Sequence, residues 1–203
     1  MKRIASLIIL ILFSAALLMA QSKTSSYKAD GRSFDVYAYY SSSDLITLIE
    51  GRQSSSYSNT YCLVLKNERV LVQFIAELKK MKMKYNEWSE VARKNKVKRF
   101  SKDIPLSFPQ LFVADRYTSE MRDYHEVNVK YATRAEFYVD DEGKPLVFVT
   151  LRSDWIAFKD TRYTTEWRQT FTSSSQIDGL IKALELKTIK AKAGVAQRDK
   201  LFK

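Results

Sequence analysis

The sequence predicts an α+β fold, a mostly antiparallel sheet packed against one long and one shorter amphipathic helix. Three observations carry this. Apolar residues recur at steps of three and four after Asn67 and again after Ser175, which marks helices. Short runs of alternating polarity occupy much of the remainder, which marks half-buried strands. The clearest strand pair is joined by a turn with no helix between, so the strands run antiparallel.

The elements follow in order. Lys2 and Arg3 precede an almost wholly apolar run over 4–20, and polar Gln21-Ser22-Lys23 follows Ala20. This is the three-part pattern of a signal peptide over 1–20, cleaved near Ala20. An uncleaved membrane anchor is the alternative, since this almost wholly apolar run of 17 residues lies at the short edge of a spanning helix. No second stretch of that length exists, so no transmembrane segment is expected once the signal is removed. Residues 21–33, rich in Ser, Lys and Gly, read as a flexible leader. Residues 34–40 alternate as a strand. Residues 45–49 form a short apolar run, a strand or one helical turn. Residues 51–59 read as a loop and 60–66 as a strand.

The long helix is expected over 67–96. Asn67 suits its N-cap because its side chain can accept a hydrogen bond from a free backbone N–H. Leu71, Phe74, Ile75, Leu78, Met81, Tyr85, Trp88 and Ala92 then line one stripe. Pro105 and Pro109 mark a connector, since the residue before proline is pushed out of the helical region. Residues 111–114 read as a strand and 115–126 as a loop. A hairpin is expected from 127–140 through the turn Asp141-Glu142-Gly143-Lys144 to 146–151. Residues 155–158 form an edge segment, and 163–171 alternate again. Ser175-Gln176-Ile177-Asp178 has capping-box spacing and opens a helix whose stripe is Ile177, Leu180, Ile181 and Leu184. The domain therefore spans 34–186, as one unit or as two similar lobes, 34–102 and 103–186. A basic tail covers 187–203.

Composition narrows the chemistry. The 203 residues include one His and one Cys, which removes most metal and nucleophile schemes. Cys62 has no partner for an internal disulfide and sits in the apolar run Tyr61-Cys62-Leu63-Val64-Leu65, so it is expected to be buried. His125 stands alone. Asp140-Asp141-Glu142 lacks the alternating oxygen ligands of a calcium loop and fits a charged hairpin turn. No HExxH, GxSxG or GxGxxG motif occurs, and no catalytic residue, cofactor or metal is assigned. Tyr37, Tyr39 and Tyr138 fall on outward strand positions. Exposed, they would suit sugars or proteins; half-buried sheet tyrosines are the plainer reading.

The net charge of +11 is unevenly spread. Residues 66–102 carry 12 Lys/Arg against 4 Asp/Glu, and 187–203 carry 6 against 1, whereas 103–186 carry 10 against 14. Lys79, Lys80, Lys84 and Lys94 lie opposite the apolar stripe. Arg93, Lys96, Lys98, Arg99 and Lys102 crowd the helix end. Cations there complement the helix dipole, so a solvated helix face is the plain reading. The functional reading is an anion-binding surface made by Lys80, Lys84, Arg93, Lys94, Lys96, Lys98 and Arg99. Its partner would be an anionic glycan, a lipid headgroup or an envelope protein. Nucleic acid fits poorly, because the aromatics fall in strand patterns rather than among the cations. The expected function is an exported (periplasmic or secreted), non-enzymatic binding protein that engages an anionic partner through this helix end and tail. The alternatives are an envelope-associated hydrolase using a carboxylate pair and a structural protein held by an uncleaved anchor.

Overall fold

The computed structural model describes residues 22–51, 60–116, 132–152, 156–158, 161–163 and 166–201. The expected signal peptide, the 51–59 loop beyond Gly51, His125 and most of the 115–126 loop lie outside these residues.

The architecture is α+β, as the sequence predicts. Strands β1 (Ser22–Ala29), β2 (Arg32–Ser41), β3 (Asp44–Gly51) and β4 (Thr60–Leu65) form an antiparallel meander. Helix α1 (Glu68–Lys94) follows, then β5 (Phe100–Asp103), β6 (Phe112–Arg116), β7 (Ala132–Val139) and β8 (Pro145–Arg152). The short pair β9 (Ile156–Phe158) and β10 (Thr161–Tyr163) precedes β11 (Glu166–Phe171), α2 (Ser174–Ala183) and α3 (Leu186–Leu201). One sheet has the order β1-β2-β3-β4-β6, and a second has the order β11-β8-β7-β5. Every strand pair is antiparallel.

Helix α1 forms where its periodicity places it. Asn67 Oδ1 accepts from Val70 N at 2.9 Å, so the expected cap is in place. Leu71, Phe74, Leu78 and Met81 are fully buried, each contributing about 1.5–3 kcal/mol of burial free energy. The helix touches β3 and β4 of one sheet and β7 and β8 of the other. One hydrophobic cluster accordingly contains residues of both sheets and all three helices.

The second helix starts two residues earlier than expected. Its N-cap is Ser173, whose side chain accepts from Gln176 N. Gln176 Oε1 accepts from Thr172 N at 2.9 Å and from Asp30 N. Ser173-x-x-Gln176 is thus the operative capping pair, because only there does the position-three side chain reach back to the incoming backbone.

The expected leader is instead strand β1. Ala29 pairs with Arg32 across Asp30 and Gly31, whose φ values of 45° and 70° give the two-residue hairpin turn that matches strand twist. A register shift between Lys23 and Ser25 breaks the alternation. Thr24, Tyr27 and Ala29 are nevertheless buried. The expected tail is largely helix α3, whose Ile189 and Ala193 enter the core. The chain also does not divide at 102/103 into two self-contained sheets. Strand β5 pairs with β7, whereas β6 crosses back to pair with β4.

Two side chains tie the sheets together, and a third ties α1 to the second sheet. Trp167, in β11, donates from Nε1 to Ile49 O at 3.0 Å. Its indole lies against Gly51, where a Cβ would fall 2.2 Å from Nε1. Tyr27 Oη donates to Glu50 O at 2.7 Å and lies 3.1 Å from the Gln169 amide. Tyr85 Oη lies 2.9 Å from Thr172 O and 3.2 Å from Pro145 O. The outer face of the five-stranded sheet carries a second cluster of Tyr39, Ile46, Leu48, Cys62 and Val64. Cys62 is therefore buried, as its apolar neighbours implied.

Candidate functional site

Helix α1 ends in two backbone bonds of the Schellman type. Val97 N donates to Ala92 O at 2.9 Å, and Lys96 N donates to Arg93 O at 3.3 Å. This ending requires a left-handed residue after the cap, and Lys96 supplies it with φ 52°. Glycine is the usual occupant because a Cβ is strained there. Arg99 is also left-handed, at φ 51°, and turns the chain into β5. The β7–β8 hairpin holds this turn. Arg99 N donates to Asp140 O at 3.2 Å, and its guanidinium pairs with both oxygens of Asp141 at 2.8 and 3.2 Å. Asp140 Oδ1 in turn accepts from Glu142 N and Lys144 N. The acidic triplet is thus a turn that organises the helix end.

The seven candidate cations divide into two kinds. Lys80 pairs with Glu77 at 2.6 Å, Lys84 with Glu87 at 2.8 Å, and Arg99 with Asp141. Arg93, Lys94, Lys96 and Lys98 form no ion pair with any described residue. Glu77 is 6% exposed and also accepts from Ser107 N at 3.0 Å. Burial pushes its carboxyl up, but the bonds from Lys80 and Ser107 and the Lys80 charge together hold it below its ordinary value. Lys80 therefore serves the core boundary.

The helix end has two flanks. On one, Trp88 packs edge-on to Phe137 at 5.7 Å. Lys102 Nζ lies 4.8 Å from the Trp88 ring and Lys84 Nζ lies 6.0 Å from it. The expectation that aromatics stand apart from the cations fails here. Pairing of β5 with β7 brings Lys102 to a tryptophan 14 residues earlier in the chain. On the other flank, Arg93 lines a groove of about 540 Å³ with Tyr85, Asn86, Ser89, Ser173 and Ser174. Burial raises the Tyr85 phenol, and the Ser89 hydroxyl and Arg93 charge only partly offset this.

Lys190 and Lys192, of the C-terminal cations, do not join this surface. Lys190 pairs with Glu68 at 2.9 Å, at the opposite end of α1, and Lys192 donates to Thr24 O. A helix of 27 residues separates its ends by about 40 Å. A second groove, of about 750 Å³, lies among β1, α2 and α3. Several of its hydroxyls are spent internally: Ser25 on Ala183 O, Thr188 on Glu185, and Ser173 with Ser175. Among the tyrosines expected outward, Tyr39 is buried and Tyr37 half-buried. Tyr138 is half-buried with its ring 6.0 Å from that of Phe148.

Among the described residues, no three His, Cys, Asp or Glu converge as metal ligands, and no helix is long and apolar enough to cross a membrane. The chain matches no known protein-family model, no curated protein and no solved structure.

Proposed function

We propose that the protein is exported and acts as a non-enzymatic binding protein, engaging an anionic partner through the C-terminal end of α1. One observation carries this reading. Arg93, Lys94, Lys96 and Lys98 are concentrated in six residues, and none forms an ion pair with a described residue. Their mutual repulsion is relieved by a bound anion. Lysine at the left-handed position 96 supports the same reading. A glycine would serve the backbone better, so the retained cation has a use other than stability. Lys190, the α3 cation paired with Glu68, is about 40 Å away along α1, so it is not part of this surface.

The test is retention on heparin and on anionic vesicles across a salt series from about 50 to 300 mM, over which the screening length shortens markedly. Binding falls steeply with salt if the reading holds; salt-insensitive binding removes it. Export is tested separately by sequencing the N-terminus of the product outside the cytoplasm, which is expected to begin at Gln21.

A further inference from the structure

We infer that the anionic partner is a lipid surface, met by the flank of α1 that carries Trp88 and Val91 together with Phe100 of β5. The inference rests on the reading of the helix end as an anion-binding surface and names its partner.

The cations alone fit any polyanion; the apolar side chains among them do not. Val91 is 53% exposed and Phe100 is 42% exposed. Val91 follows Trp88 by three residues, so the two are neighbours along one side of the helix. Phe100 and Lys102 are two apart in β5 and share the strand face from which Lys102 reaches Trp88. Trp88, Val91 and Phe100 thus lie with Lys84 and Lys102, and Lys94, Lys96 and Lys98 follow at the helix end. A hydrated glycan can stack on an aromatic ring but gains nothing from an exposed valine. A bilayer uses both kinds of group. Lysines stay at the level of the phosphates with their methylenes below, while the apolar ends enter the acyl boundary. Tryptophan is favoured at that depth.

The test uses the chain beginning at Gln21, which retains every described element. Co-sedimentation is measured with neutral phosphatidylcholine vesicles and with vesicles containing about 30% phosphatidylglycerol, at about 50 mM salt. Heparin retention is measured alongside. The expected result is binding to the anionic vesicles only. Substituting Lys94→Gln with Lys98→Gln lowers vesicle partitioning about twenty-five-fold, roughly five-fold per charge. Substituting Val91→Ser with Phe100→Ser lowers it about ten-fold while the charge is unchanged. Thermal melts of both variants check that the fold persists. Wild-type partitioning by the Val91/Phe100 variant, or heparin binding without vesicle binding, overturns the lipid inference and leaves the anion-binding reading standing. Binding to neither probe overturns both.

Discussion

Alanine at position 51 is expected to destabilise the protein, and the sign of the effect is diagnostic. Gly51 lies at the end of β3 and pairs with Tyr61. Its backbone is outside the left-handed region, so alanine can adopt it. On chain entropy alone, Gly→Ala at such a site stabilises by about 0.4–1 kcal/mol. The packing opposes this. The added Cβ would lie 2.2 Å from Trp167 Nε1, 2.5 Å from Cε2 and 2.7 Å from Cδ1. Trp167 is 1% exposed, so its indole has no free space to retreat into. A shift large enough to clear the clash stretches the 3.0 Å bond to Ile49 O. Overpacking costs about 1–3 kcal/mol, and an unpaired buried donor about 1–3 kcal/mol. Set against the entropic gain, a net loss of about 3 kcal/mol is expected. In a chain of this length that lowers Tm by about 6–12 °C. Urea and thermal unfolding of Gly51→Ala read the loss. Combining it with Trp167→Ala, which removes the clashing ring, is expected to show a favourable coupling of at least about 1 kcal/mol. A Gly51→Ala protein as stable as the wild type, or more so, refutes the packing argument.

Lys96→Gly is expected to raise stability by about 1 kcal/mol, seen as a higher urea midpoint, by placing glycine in the left-handed position after the cap. The same substitution is expected to weaken anion binding, so stability and binding move in opposite directions. Glu77 sits below its ordinary value of 4.5 in the folded protein. Its stabilisation is therefore full above that pH and is lost as pH falls through the lower folded value. Glu77→Gln is expected to cost about 1–3 kcal/mol at pH 7 and to flatten this part of the acid limb in a urea-midpoint profile. Burial, the Glu50 charge and Cys62 together raise Tyr27 well above its ordinary 10.0. Its contribution is full below that pH and is lost as pH rises toward the folded value, so stability should fall on the alkaline side, and Tyr27→Phe should reduce that slope.

The parts of the fold legible in sequence are those with strong local periodicity. Leu71, Phe74, Leu78, Met81 and Tyr85 announce α1 because a 3.6-residue period has one dominant explanation. The β7–β8 hairpin is legible because alternation flanks a polar turn. Strand β1 is hidden because the shift between Lys23 and Ser25 breaks its two-residue period, and Ser and Lys dominate its composition. Asp30-Gly31 was its available signal. Strand β5 offers none: all four residues are exposed, and only pairing with β7 makes them a strand. The candidate surface divides in the same way. Local sequence locates the cluster of cations at the helix end. It does not separate Lys80 and Lys84, which have carboxylate partners one turn along, from the cations that pair with no described residue, nor place Arg93 on the opposite flank. The Lys102–Trp88 contact depends on β5 pairing, a long-range event with no local trace.

The exchange of β5 and β6 between the sheets makes the two halves of the polypeptide mutually dependent. Neither sheet reaches its full width from a contiguous stretch of chain. The strap between these strands is itself anchored, with Ile104 and Leu111 sunk at its two ends, so it cannot serve as a hinge. A fragment ending after β5 would carry a strand whose mate is missing, and the complementary fragment would lack the strands that β6 and β11 meet. Excising either half therefore exposes raw sheet edge and oily interior together, a recipe for aggregation. The chain should accordingly melt as one calorimetric unit, and a proteolytic nick in the strap should loosen both sheets at once.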